Sequence, residues 1–330
     1  MSQITIQGRS NNFDALRLIA SLLVVFSHVF SLTGRHEPTL IGNHHSLGNL
    51  GVLIFFSISG YLVSASWAAD PHPARFLLRR ALRLVPGAVM AVAVMYSFLS
   101  MLGLAGGPPE NSIFNPFHMQ AFPGPKSVNH LFNGPLWTLP LESYCYLILL
   151  ALGMLVRKPG LYMTALFLAA WELHGESTSH AFLIYFGLFF CMGALVFHYR
   201  ALRSLPSLCV LAAMAWYFCS SGRTITGLAL IVPALTIAVG VQSWPVLRRA
   251  ARYGDLSYGI YIYAWPVQGL FVYWFGKDTD YMVLIVPTLA VTIGLAFLSW
   301  HLVESMALRM KPKNLTRHTL DSAYACATAE

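Results

Sequence analysis

Ten apolar stretches of 15 to 24 residues follow one another through this 330-residue chain, at 13–32, 49–69, 84–104, 136–156, 160–174, 181–199, 205–221, 225–243, 256–276 and 281–304. A helix needs about 20 apolar residues to cross a bilayer, and in lipid every backbone polar group must be satisfied within the segment. The repetition therefore predicts an all-α, polytopic helical bundle. Strands of a membrane barrel would instead alternate over about ten residues. Composition agrees: 56% of the residues are hydrophobic and 10% charged, against about a quarter charged in soluble domains.

Basic residues orient the bundle. With the N-terminus inside, all but four of the 21 Lys and Arg fall in cytoplasmic segments, the four being Arg35, Lys126, Arg223 and Lys277. The positive-inside rule then places both termini in the cytoplasm and requires an even number of spans. The sequence pI of 9.3 is explained by an anionic leaflet and calls for no nucleic acid. Residues 1–310 are expected to form one integral domain and 311–330 a short, disordered cytoplasmic tail. The first apolar segment lacks a small-residue cleavage site and should remain as an anchor. The outer segment 105–135, rich in Pro, Gly, Asn and Phe, is a candidate lid or re-entrant element. Five cysteines without CxxC spacing suggest neither a disulfide framework nor a zinc site, and adjacent His44 and His45 are poorly spaced to share a metal.

Ionisable residues inside spans mark sites or pathways. Arg17 and His28 lie in the first span, eleven residues apart, which returns a helix to within about 20° of its starting direction and separates them by roughly 16 Å along the axis. One face thus carries an Arg near a membrane surface and a His well inside. Arg75, Arg79, Arg80 and Arg83 crowd the cytoplasmic start of the third span. They serve either topology and lipid headgroups or phosphate recognition, for which planar, bidentate guanidinium groups at i,i+3 and i,i+4 spacing are suited. Ser57 and Ser59, in Phe56-Ser-Ile-Ser-Gly-Tyr61, permit close helix packing or line a narrow polar channel. Glu142 follows Trp137 into the fourth span and needs a partner, either in structural pairing or at a site where it orients His28 or binds an acceptor. Glu304 stands where the last span meets the basic tail, as an interfacial ion pair or at the mouth of a cofactor tunnel.

In order along the chain, Phe13-Asp-Ala-Leu-Arg17 with His28, Phe56-Ser-Ile-Ser-Gly-Tyr61, Arg80-Ala-Leu-Arg83, Pro135-Leu-Trp137 to Glu142, and Leu256-Ser-Tyr-Gly-Ile-Tyr261 with Trp265-Pro266 resemble the motifs of the acyltransferase-3 family of bacterial membrane O-acyltransferases. Two departures are visible. Many relatives carry a histidine shortly before the late proline, where this chain has Ala264-Trp265, and many carry a fused hydrolase-like domain that this chain is expected to lack. The resemblance implies a stand-alone, multi-pass enzyme of the bacterial inner membrane that moves an acyl group, with acetyl favoured, from cytoplasmic acyl-CoA to a hydroxyl of a cell-surface or lipid-linked glycan. It implies His28 as general base, supported by Glu142 and Arg17, with donor binding by Arg79, Arg80, Arg83, Ser57 and Ser59 and no metal. Buried charges alone are equally compatible with a transporter or flippase for a lipid-linked sugar. A non-enzymatic scaffold of a glycan-assembly complex is a third reading.

Overall fold

The computed structural model describes residues 11–41, 45–103, 134–156, 158–174, 181–250 and 252–312. Within them the ten predicted stretches are occupied by helices: α1 (Phe13–Thr33), α2 (Leu47–Ala69), α3 (Pro73–Met101), α4 (Thr138–Leu155), α5 (Pro159–Leu173), α6 (Ala181–His198), α7 (Leu205–Ser220), α8 (Thr224–Gly240), α9 (Ser257–Phe275) and α10 (Tyr281–Ser299). A π-helical turn, Trp300–Glu304, joins α10 to α11 (Ser305–Arg309). A small antiparallel pair, β1 (Thr39–Ile41) with β2 (His45–Ser46), precedes α2. Most of the candidate lid at 105–135 and most of the proposed tail lie outside the described residues, as do both termini.

The length criterion separates these helices into two groups. By length and composition six segments can cross a membrane: α1, α2, α3, the segment Gly134–Leu155 containing α4, α6, and the continuous run Tyr281–Arg309. The expectation of ten full spans is therefore met in helix number but not in this stricter sense. α5 has 15 residues and rises about 22 Å, short of the roughly 30 Å hydrocarbon core, and α7 and α8 are also brief. α9 is long enough at 19 residues, but 14 of them are buried, Tyr258, Tyr261, Tyr263 and Gln268 included, and exposure is concentrated in its last turn at Tyr273, Trp274 and Phe275. A helix buried all round belongs to the centre of a bundle.

Two contacts align α1 with the α9 region. Arg17 meets Asp255, just before α9, and His28 meets Trp265, within it. The two helices thus run in the same direction, as seven intervening crossings would require. Asn12 fixes the start of α1 by donating its backbone N–H to the Gly240 carbonyl at 2.9 Å and accepting from the Trp244 N–H at 3.0 Å.

Small residues let the remaining backbones approach. A Cβ at Gly60 of α2 would overlap the Phe190 carbonyl of α6, and one at Gly193 of α6 would overlap the Ser57 carbonyl of α2. With little solvent-driven attraction between helices in lipid, such close approach gains dispersion energy that bulkier side chains would forfeit.

Candidate functional site

At the end of the bundle where α1 and α3 begin, three of the four arginines of α3 divide between two carboxylates. Asp70, which caps α2, receives Arg75 Nε at 2.9 Å and Nη2 at 2.6 Å, and also a close bond from Arg79. The Arg75 hydrogen bond, against the opposing effect of burial and with help from Arg79, holds the Asp70 carboxyl well below the usual carboxylate range. Arg79, expected from sequence to bind the donor, is itself buried and paired with Asp70 in the α2–α3 corner.

Asp255 is the second carboxylate. Its Oδ2 lies 2.5 Å from Arg83 Nη2 and 3.7 Å from Arg17 Nη1, while its Oδ1 accepts from Ser257 at 2.5 Å. Burial alone would raise the Asp255 carboxyl; Arg83 and Arg17 outweigh it and keep the group ionised. Gly254 holds the preceding turn at φ +119°, a left-handed conformation, and a side chain there would strike the Trp300 ring. Arg83 also lies over the Tyr258 ring, whose hydroxyl donates to the Leu84 carbonyl at 2.6 Å. Glu304 is buried nearby, across from Gly87. Its Oε1 accepts from Ser299 at 2.9 Å, and its Oε2 has no hydrogen-bond partner among the described residues, so it does not form the surface ion pair considered from sequence.

A second cluster lies deeper. Glu142 accepts short hydrogen bonds from Ser59 of α2 and Tyr146 of α4, and the Arg80 guanidinium sits 5.9 Å from the Tyr146 ring centre. Arg80 Nε is buried without a partner among the described residues. Ser57, by contrast, donates to the Leu53 carbonyl at 2.7 Å and is fully enclosed in the α2–α6 contact. Of the two expectations for this residue, its surroundings match close helix packing.

His28 borders a cavity of about 280 Å³ toward the other end of the bundle, which it shares with Ser27, Asn49, Trp137, Thr138 and Tyr261. The imidazole lies at right angles to the Trp265 ring, with ring centres 4.8 Å apart, and Nδ1 has no hydrogen-bond partner among the described residues. No hydrogen bond joins Nδ1 to Glu142, so the expected orientation of His28 by that carboxylate is not seen. Thr138, Glu142 and Tyr146 are successive i,i+4 positions on α4, about 6 Å apart along its axis. Thr138 pairs with the Tyr261 hydroxyl at 2.8 Å beside the cavity. One face of α4 thus connects the cavity, through Glu142 and Tyr146, to Arg80 and the arginine end.

Sequence reasoning missed Asp255, Tyr146 and Asn49, and named Trp265 within the late motif without giving it a role of its own. Asp255 had the clearest signal, as an acidic residue directly before the Ser-Tyr segment in a stretch otherwise rich in Arg. Among the described residues no three His, Cys, Asp or Glu side chains converge as metal ligands.

Comparison with known proteins gives a consistent result. The family model described as an acyltransferase domain matches residues 10–301. An O-acetyl transferase of Shigella phage Sf6 is 32% identical, covering 92% of this chain and 98% of the relative. Nodulation protein 10 of Rhizobium leguminosarum bv. viciae is 28% identical over 94% of this chain and 96% of its own length. No solved structure matches.

Proposed function

Since this chain belongs to the acyltransferase-3 family and is a multi-pass membrane acyltransferase, we propose that it carries an acyl group, acetyl in the first instance, from acyl-CoA at the cytoplasmic face to a sugar hydroxyl of a cell-surface or lipid-linked glycan in the bacterial inner membrane. The observation that carries this reading is the position of His28. Its imidazole lines a cavity at one end of a polar column whose other end carries Arg80 and Arg83.

In this scheme Arg83, with Arg80 and Arg17, receives the donor phosphates, Asp255 holding Arg83 and Arg17 in place until an anion arrives. The pantetheine arm runs along the α4 face past Glu142, which fixes Ser59 and Tyr146 as the wall of the route. At its tip the neutral imidazole of His28 takes the proton of the sugar hydroxyl. The alkoxide oxygen attacks the thioester carbonyl, a C–O bond forms, and the C–S bond breaks as the coenzyme thiolate leaves. The thiolate then recovers the proton from the imidazolium. A translocation path would use the same buried charges but needs no acyl donor, and family membership favours transfer.

Purified protein in vesicles, supplied with labelled acetyl-CoA and a lipid-linked glycan extract, tests this. His28→Ala should lose labelling of the glycan by at least a hundredfold while retaining acetyl-CoA binding, in keeping with the usual contribution of a general base, about 10²–10⁴. Undiminished labelling at equal protein would remove His28 from the reaction.

A further inference from the structure

One wall of the cavity beside His28 has no part in the proton transfer described above. It is built around Asn49, in the first turn of α2. The Asn49 Nδ2 donates to the Tyr185 hydroxyl at 2.8 Å and to His45 Nδ1 at 3.1 Å, and Tyr185 also lies 3.2 Å from Asn49 Oδ1. These contacts occupy both amide hydrogens, so the amide cannot turn without breaking one of them. The carbonyl oxygen has two lone pairs, and among the described residues Tyr185 donates to it, which leaves capacity for one more.

Aromatic rings line the same cavity as this amide. Trp137 lies 5.2 Å from the Phe182 ring and 5.6 Å from that of Phe186, and Tyr185 lies 4.7 Å from Phe186. All four border the cavity, with His28 on its wall. An acyl chain would be served by aromatic walls alone, and a held amide at its side would lose hydration for no return. A pyranose ring presents both surfaces: a face of C–H groups that stacks on an aromatic plane and a rim of hydroxyls that needs fixed hydrogen-bond partners. The volume, about 280 Å³, falls just below the roughly 300–1,000 Å³ usual for ligand pockets, which suits one ring better than an oligosaccharide.

We propose that this cavity is the acceptor subsite. A single sugar ring stacks on Trp137, one of its hydroxyls donates to Asn49 Oδ1, and another is thereby brought to His28; Asn49 is the specificity-determining residue. The proposal rests on the O-acyl transfer reading and adds where the acceptor sits and what selects it.

The full-length protein in vesicles is given acetyl-CoA and a panel of methyl hexopyranosides and 6-deoxyhexopyranosides that differ by epimerisation at single carbons, with products measured by mass spectrometry. The wild type should acetylate some epimers and reject others. Asn49→Ala should raise the KM for the preferred glycoside about twofold to tenfold, the value of one neutral hydrogen bond, and flatten the preference at one carbon. Its KM for acetyl-CoA should stay unchanged, which also shows that the variant is folded. Tyr185→Phe should raise the glycoside KM by less, and Trp137→Tyr should retain more activity than Trp137→Leu. If Asn49→Ala instead alters donor KM or the preference between acetyl and longer acyl-CoA, the cavity holds the acyl chain and the proposal fails. It fails also if the wild type binds and hydrolyses acetyl-CoA yet acetylates no member of the panel, an outcome that leaves O-acyl transfer standing. Failure to bind or turn over acetyl-CoA at all would overturn both.

Discussion

Arg75, Arg79 and Arg83 lie on successive turns of one helix and look interchangeable as letters, yet each has a different electrostatic partner or degree of exposure. Arg79 and Asp70 are both buried, whereas the outer partner Arg75 is a quarter exposed. Removing one member of a buried pair strands the other charge, at a cost of roughly 3–5 kcal/mol, while exposed pairs contribute about 0–1. Asp70→Asn should therefore lower the thermal stability of the detergent-solubilised enzyme far more than Arg75→Gln does, and leave acetyl-CoA affinity in the surviving folded fraction unchanged. Arg83→Gln should do the reverse, raising donor KM about tenfold or more through loss of a charge-assisted bond to phosphate. Thermal unfolding and donor titration of the three variants measure this; a donor defect in Asp70→Asn equal to that in Arg83→Gln would contradict the division. The arginine cluster was legible as a cluster. Its partition was not, because Asp255 stands 172 residues from Arg83.

Within a single element the Phe56–Tyr61 motif divides in the same way. At 100° per residue Ser57 and Gly60 fall near one another on α2, and Ser59 points to the far side. The structure uses one face to meet α6 and the other to meet Glu142. Gly60→Ala forces a methyl group against the Phe190 carbonyl, a backbone atom that has no rotamer to yield, so the helices must separate. The expected cost is about 1–3 kcal/mol, seen as a lower melting temperature. Ser59→Ala should leave the melting temperature within a degree or two of that of the wild type and reduce turnover. Equal stability of Gly60→Ala and the wild type would show that the α2–α6 approach is dispensable. Both readings of the motif could be stated from sequence, and helical phase could have separated them; the identity of each facing helix could not be read there.

For the whole molecule, charge sets the expected orientation and packing sets the relative direction of the helices. The parallel run of α1 and α9 puts Arg17, Arg83 and Asp255 at one end and the His28 cavity toward the other. In a background without the five native cysteines, His72→Cys and Ser204→Cys should react with a membrane-impermeant maleimide only in inverted vesicles. Arg35→Cys and Ser221→Cys should react only in right-side-out cells. Labelling of all four from one side would break the assignment of the arginine end to the cytoplasm, and with it the proposed direction of acyl transfer.

By itself the sequence determined the solvent of the chain, its helical class, the positions of its apolar stretches and the polar residues that lipid would penalise, because hydropathy and helical period are local properties. Arg17 and His28 could be placed on one face and at different depths by counting residues. Only the tertiary structure decided which arginine is already neutralised, that Glu142 pairs with Ser59 and Tyr146, and that Trp265 and the Asn49 wall flank His28. Each of these depends on a contact between helices distant in the chain, fixed by which small residues allow two backbones to meet, and no local period records that choice.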